Sequence, residues 1–171
     1  FPMRSAAKGS LYRQEVTEAA CRVTLQAVAR FIEGHLEPTP QTAIADSAQQ
    51  RAQPLVKQAD RAIDWSSDSQ QTILRKIQSA DGFPGLLDTL YDRKLYLYNA
   101  HPEPHLNGKP GSVVGQCGPA LCIATADNKA VWIGTVRDKQ SAHPFKLPAT
   151  EVLQQELSKV PVIEQGYSEI R

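Results

Sequence analysis

The chain has 171 residues and a net charge of +1, with 41% hydrophobic and 22% charged residues. This composition is typical of a globular protein, and the near-neutral charge excludes a general attraction to nucleic acid or acidic membranes. No apolar run approaches the roughly 20 residues that span a bilayer. The odd number of cysteines, three, favours reduced thiols and a cytoplasmic location. Because the first residue is Phe1 rather than Met, we expect a piece of a longer polypeptide.

The first predicted element is a long helix over residues 11–33, with Ser10 as its N-cap and Gly34 at its end. The following residues, 37–54, are rich in Pro, Gln and Ala and predict a surface connector. An apolar stripe at helical spacing predicts that the helix packs against a neighbour; its members are Val16, Ala20, Val23, Ala27 and Phe31.

Residues 63–103 predict a capped helix followed at once by a β-hairpin. Ser67 is the expected N-cap, with Gln70 three residues later to complete a capping box. Gly82 offers a left-handed C-terminal residue, and Pro84 prevents continuation of the helix. Alternating apolar residues then indicate two strands joined by a turn at residues 91–94. The buried helix face is predicted to contain Ile73, Leu74, Ile77 and Ala80.

Three further runs, at residues 112–116, 121–125 and 130–136, have the composition of strands, and a turn at residues 127–129 joins the last two. A final helix over residues 148–159 is expected to bury Val152, Leu153 and Leu157. Five short strands with one helix between them predict an α+β fold. We expect a small OB-like β-barrel, with a long N-terminal helix and a C-terminal helix.

Four potential metal ligands, His101, His105, Cys117 and Cys122, follow the hairpin. Zinc sites normally use tight pairs of Cys or His that converge on one point. The spacings here are four and five residues and both pairs flank prolines, so we predict no metal site. Neither a GxSxG elbow nor a catalytic Cys–His arrangement can be identified from the spacing, and we assign no catalytic residue.

Lys8, Ser10 and Arg13 gather at the predicted start of the first helix. Backbone N–H groups and cationic side chains at such a position suit a phosphate group. The alternative is a capped helix whose basic residues are simply solvated.

Several motifs between residues 63 and 103 carry a family resemblance. Asp64-Trp65, the helical segment ILRKI and Pro84-Gly85 before a hairpin resemble the C-terminal domain of formyltransferases that use 10-formyltetrahydrofolate. The segments SADGFPG (residues 79–85) and YNAHPE (residues 98–103) are similar to the HoxX/HypX family of hydrogenase maturation factors.

The resemblance implies three regions. Residues 1–54 would be a helix and linker from a preceding formyltransferase domain. Residues 55–143 would form the OB-like C-terminal domain. Residues 144–171 would be a helical connector to an enoyl-CoA-hydratase-like domain. The catalytic residues of the family lie in the flanking domains, so this chain should hold no complete catalytic site.

The resemblance also implies a function for the parent protein. The parent would transfer formyl from 10-formyltetrahydrofolate to coenzyme A and generate CO for a nickel–iron site. Lys8, Ser10 and Arg13 would then contact the coenzyme A phosphates, and the chain itself would hold no cofactor of its own. The expected partners are the flanking domains and coenzyme A.

Two alternatives remain open. The chain could be the tRNA-binding C-terminal domain of a methionyl-tRNA formyltransferase. However, residues 51–143 hold 11 Lys and Arg against 9 Asp and Glu. A net charge of only +2 disfavours nucleic acid as a partner, because phosphate contacts dominate RNA affinity. The other alternative is a docking module that binds only its neighbouring domains.

Overall fold

A computed structural model describes residues 4, 6–35, 37–38, 40 and 54–164. The chain divides into two compact units. The helical unit consists of residues 1–5 and 10–56, and the sheet unit consists of residues 6–9 and 57–171. Almost all of the predicted connector at 37–54 lies outside the described residues. Within the described part, no helix is long and apolar enough to cross a membrane.

The first helical stretch consists of α1 (Lys8–Leu11), a π-helical turn (Tyr12–Val16) and α2 (Thr17–Ile32). Gly34 follows in the left-handed conformation with φ +70°. The N–H of His35 donates to the carbonyl of Arg30 at 2.9 Å, and that of Gly34 to Phe31 at 3.2 Å. These two bonds form a Schellman motif, so the predicted stop at Gly34 is confirmed. The start was predicted wrongly: the helix begins at Lys8, so Ser10 lies inside it and is not its N-cap.

The apolar stripe of α2 is mostly exposed. Val23 is 60% exposed and Phe31 is 71% exposed. The predicted helix is therefore correct, but the described residues do not provide the predicted packing. Helical spacing reports only the geometry of the helix itself, whereas burial also requires a covering surface.

The sheet unit contains one antiparallel sheet of six strands in the order β1-β2-β5-β4-β3, with β6 paired to β5. This arrangement, with helices beside it, confirms the mixed α+β class. The predicted OB-like barrel is not confirmed, because β1 and β3 lie at opposite edges and the described strands do not close. The strands are β1 (Leu86–Leu90), β2 (Arg93–Glu103), β3 (Val113–Cys117), β4 (Ala120–Ala124), β5 (Ala130–Asp138) and β6 (Leu147–Pro148).

Each edge strand is partly covered by another segment instead of by the opposite edge. At β1, the Gln58 side chain donates to the carbonyl of Gly85 at 2.7 Å and accepts from the N–H of Leu87 at 3.3 Å. At β3, the N–H of Gln116 donates to Pro161 at 3.0 Å, and the N–H of Ile163 donates to Gln116 at 2.8 Å. These bonds satisfy edge groups that barrel closure would otherwise pair.

Two tight turns set the strand pairing as predicted. Tyr91 and Asp92 have φ values of 48° and 61°, the signature of a two-residue type I′ hairpin. They join β1 to β2, with Leu90 opposite Arg93. Asn128, with φ 56°, provides the corresponding turn between β4 and β5.

The helix α3 (Gln70–Gln78) is capped by Ser69, whose hydroxyl accepts from the N–H of Thr72 at 3.3 Å. The predicted cap, Ser67, instead donates its hydroxyl to Asp64 at 2.8 Å. An acidic residue three positions earlier therefore competes for the hydroxyl and delays the start of the helix. Gly82 does not adopt the predicted left-handed conformation, which occurs at Gly85 with φ +95°.

One hydrophobic core lies between α3, the sheet and the C-terminal turns. The predicted helix face is buried, with Ile73 and Ile77 at 0% and 1% exposure. The predicted C-terminal helix is two shorter elements, α4 (Ala149–Val152) and a 3₁₀ turn (Glu156–Lys159). As expected, Leu153 and Leu157 are buried there, whereas Val152 is only partly buried. Leu86, Leu95, Leu97, Leu121, Ile123, Val131, Ile133 and Val136 complete this core.

Candidate functional site

The predicted anion-binding residues lie along the first helical stretch. Lys8 belongs to the sheet unit, whereas Ser10 and Arg13 belong to the helical unit. The Ser10 hydroxyl accepts from the Arg4 guanidinium at 2.6 Å, and Arg4 also pairs with Glu15. The hydrogen bond from Arg4 lowers the pKa of Glu15, so a carboxylate already balances that guanidinium. The common site of Lys8, Ser10 and Arg13 stays a prediction.

The buried carboxylate of Glu103 organises the end of β2. One oxygen accepts from the backbone N–H groups of His105 and Leu106 at 2.8 and 3.3 Å. The other accepts from the Trp132 indole at 2.9 Å. Three N–H donors stabilise the buried charge, and we assign Glu103 a structural role in holding the loop after β2.

Nearby, Cys122 is completely buried on β4. Burial, together with the charge of Glu103, raises the pKa of its thiol to about 12. Since the thiolate is the nucleophilic form of cysteine, Cys122 is unsuited to covalent catalysis at neutral pH.

The structure does not gather the four potential metal ligands of the sequence into one cluster. His101 Nε2 lies 2.9 Å from the side-chain oxygen of Asn99. Across residues 54–164 and the described positions before them, no group of three or more His, Cys, Asp and Glu could hold a metal ion. The absence of bound metal stays a prediction.

A group of aromatic and cationic side chains lies on the sheet face opposite the main core. Arg137 of β5 stands directly across from Tyr96 of β2. Its guanidinium lies 4.1 Å from the Tyr96 ring centroid and 4.8 Å from that of Phe83. It also donates to the carbonyl of Pro84 at 3.2 Å. We call this group the Pro84 patch; it consists of Phe83, Pro84, Tyr96, Tyr98, Arg137 and Lys146.

Tyr98 and Lys146 form the second half of the Pro84 patch. The Tyr98 hydroxyl donates to the same Pro84 carbonyl. The Lys146 ammonium lies 3.9 Å from the Tyr98 ring centroid and donates to the carbonyl of Asp81 at 2.9 Å. A Cβ at Gly85 would overlap the Tyr98 ring. Only glycine therefore permits this close approach of backbone and ring.

The Pro84 patch was not predicted from the sequence. Its only local signal is the alternation of Tyr96 and Tyr98 with the apolar residues of β2, which indicates a second covered face. Lys146 reaches Tyr98 from a distant loop, and no spacing rule relates the two positions.

The chain matches the family model described as the formyl transferase C-terminal domain over residues 55–153. This match spans most of the chain and includes the sheet and its core. The chain therefore belongs to the formyl transferase C-terminal domain family.

Two curated relatives differ in how much of the chain they match. The hydrogenase maturation factor HoxX of Bradyrhizobium diazoefficiens is 44% identical over 172 residues, covering 100% of this chain and 30% of that protein. A methionyl-tRNA formyltransferase of Staphylococcus aureus is 27% identical over 124 residues, covering 72% of this chain and 37% of that protein. The chain thus spans about a third of the length of these relatives.

Solved structures show the same likeness. HypX from Aquifex aeolicus, crystallised with tetrahydrofolic acid, superposes with a TM-score of 0.85 and 36% identity. The match covers 100% of this chain and 29% of HypX. A variant of the same protein with four alanine substitutions gives a TM-score of 0.85 and 35% identity.

Proposed function

We propose that this chain is the central, non-catalytic part of a hydrogenase maturation protein. Its parent would transfer formyl from 10-formyltetrahydrofolate to coenzyme A and generate CO for a nickel–iron site. The observation that carries this proposal is the 44% identity to HoxX along the whole chain. The crystallisation of the similar HypX with tetrahydrofolic acid supports the folate part.

The chain's own residues support a connecting role rather than a catalytic one. Glu103 is fully engaged as a buried acceptor, and the Cys122 thiol is buried with a raised pKa. In the proposed parent, residues 1–54 would lead from a formyltransferase domain and residues 144–171 to an enoyl-CoA-hydratase-like domain. The exposed apolar residues of α2, including Phe31, would contact these flanking domains. The three free cysteines suit the proposed cytoplasmic location.

The proposal is tested by incubating the full-length parent with 10-formyltetrahydrofolate and coenzyme A. Mass spectrometry should detect formyl-CoA, and omitting 10-formyltetrahydrofolate should abolish it. If no formyl-CoA forms although tetrahydrofolate binds, the proposed acceptor is wrong.

A second candidate is a tRNA-binding domain of a methionyl-tRNA formyltransferase. The match to the Staphylococcus aureus enzyme favours it, but the lower identity and the small net charge of residues 51–143 weigh against it. Tight, salt-sensitive binding of initiator tRNA by the parent would support this candidate.

A further inference from the structure

The two cations of the Pro84 patch contact aromatic rings and backbone carbonyls. Elsewhere in the sheet unit, Arg93 pairs with Asp138 at 2.7 Å and Lys76 with Asp68 at 2.5 Å. By contrast, neither Arg137 nor Lys146 forms a salt bridge with a carboxylate among the described residues. Burial lowers the pKa of Lys146, the charge of Asp81 raises it, and the charge of Arg137 lowers it to a smaller extent. Both cations contact the same short segment, because Arg137 donates to the Pro84 carbonyl and Lys146 donates to the Asp81 carbonyl.

Arg137 also carries an unsatisfied hydrogen-bond donor. The residue is only 8% exposed, and its buried Nε has no hydrogen-bond partner. Buried donors without partners are rare because each loses its hydration without compensation. The two aromatic rings stabilise the guanidinium through its faces, but they provide no acceptor for the N–H in its plane.

The rim of the Pro84 patch is exposed to solvent. Phe83, which covers the guanidinium, is 80% exposed, and an exposed side chain changes rotamer readily. Lys146 is exposed as well, at the rim of the same patch. By comparison, Tyr98 is buried and fixed against Gly85. The patch thus combines a rigid base with a movable cover.

We propose that the Pro84 patch binds the phosphate group of a small phosphate monoester. The phosphate oxygens accept from Arg137 Nε and Lys146 Nζ after the exposed side chains around the guanidinium shift, and the Phe83 ring packs against the organic part of the ligand. This inference does not rest on the proposed function, because it follows from the charges and the orphan donor alone.

The charge of the patch favours phosphate over a carboxylate. Two neighbouring cations that form no salt bridge among the described residues suit a group that carries about −1.5 to −2 at pH 7. A single carboxylate carries less negative charge than such a group. Phosphate also offers enough oxygens to accept from both cations.

The test titrates the full chain with inorganic phosphate and with phenyl phosphate at constant ionic strength. Nitrogen-15 NMR follows the Nε–H signal of Arg137, which reports on the orphan donor itself. We expect saturable shifts with dissociation constants of about a millimolar, tighter for phenyl phosphate. Lys146→Gln should weaken both ligands by about fivefold or more, the scale of one charge-assisted hydrogen bond.

The controls separate this site from general ionic attraction. Lys109→Gln removes the same charge from an exposed position in the loop after β2 and should leave both affinities unchanged. Lys146 is exposed, so its substitution should not unfold the chain. The proposal is overturned if the Arg137 signal does not shift, or if Lys146→Gln and Lys109→Gln bind phosphate equally well.

Discussion

Glu103 and Trp132 meet across neighbouring strands of the sheet, where the indole N–H donates to a buried carboxylate oxygen at 2.9 Å. The other oxygen accepts from two backbone N–H groups. This relationship fixes the loop after β2 against the smaller cluster around Trp132.

Glu103→Gln should destabilise the sheet unit, because an amide offers one acceptor oxygen where the carboxylate offers two. Its NH₂ group would face either the indole N–H or the two backbone donors. Leaving a buried donor unsatisfied costs about 1–3 kcal/mol. Urea unfolding should show this loss, whereas the exposed Glu151→Gln should change stability by less than about 0.5 kcal/mol.

Ile77→Ala should be among the most destabilising substitutions in α3. Ile77 is 1% exposed and belongs to the main core, and truncation of such a residue costs about 2–5 kcal/mol. Gln71→Ala, on the exposed side of the same helix, is the matched control. Equal unfolding midpoints for the two variants would show that the α3 face is not buried as described.

Asp88→Asn should change the pH dependence of stability. Burial raises the pKa of Asp88, despite the hydrogen bonds from Thr89 and Trp65. The folded state therefore holds the proton more tightly than the unfolded state, and ionisation of Asp88 destabilises the fold as the pH rises above about 4.

The variant lacks this contribution, so its stability relative to wild type should increase as the pH rises above about 4 and level off above the folded-state pKa of Asp88. Urea unfolding across this range measures the difference, with Glu151→Gln as the control. A difference that stays constant with pH would contradict the assignment.

Arg13→Ala tests the proposed contact between the first helix and coenzyme A. If Lys8, Ser10 and Arg13 hold its phosphates, the affinity of the full-length parent should fall in the variant and decrease with rising salt. Calorimetry with coenzyme A measures both effects. Unchanged affinity in both Arg13→Ala and Lys8→Ala would show that these residues do not contact coenzyme A.

Local patterns predicted the strands, their turns and the buried face of α3, because alternation and helical spacing depend on nearby residues. These predictions failed where another side chain or segment competes for the hydrogen-bonding group. Asp64 takes the hydroxyl of Ser67, and Gln58 and residues 161–163 cover the edges that barrel closure was expected to pair. The Pro84 patch combines residues from four separate segments, so no motif could indicate it.

We propose that the parent formylates coenzyme A rather than a tRNA. In the direct measurement, the full-length parent is incubated with 10-formyltetrahydrofolate and equal concentrations of coenzyme A and initiator methionyl-tRNA. Both products are then quantified by mass spectrometry. We expect formyl-CoA as the main product. Formylmethionyl-tRNA as the main product, with no formyl-CoA, would contradict it.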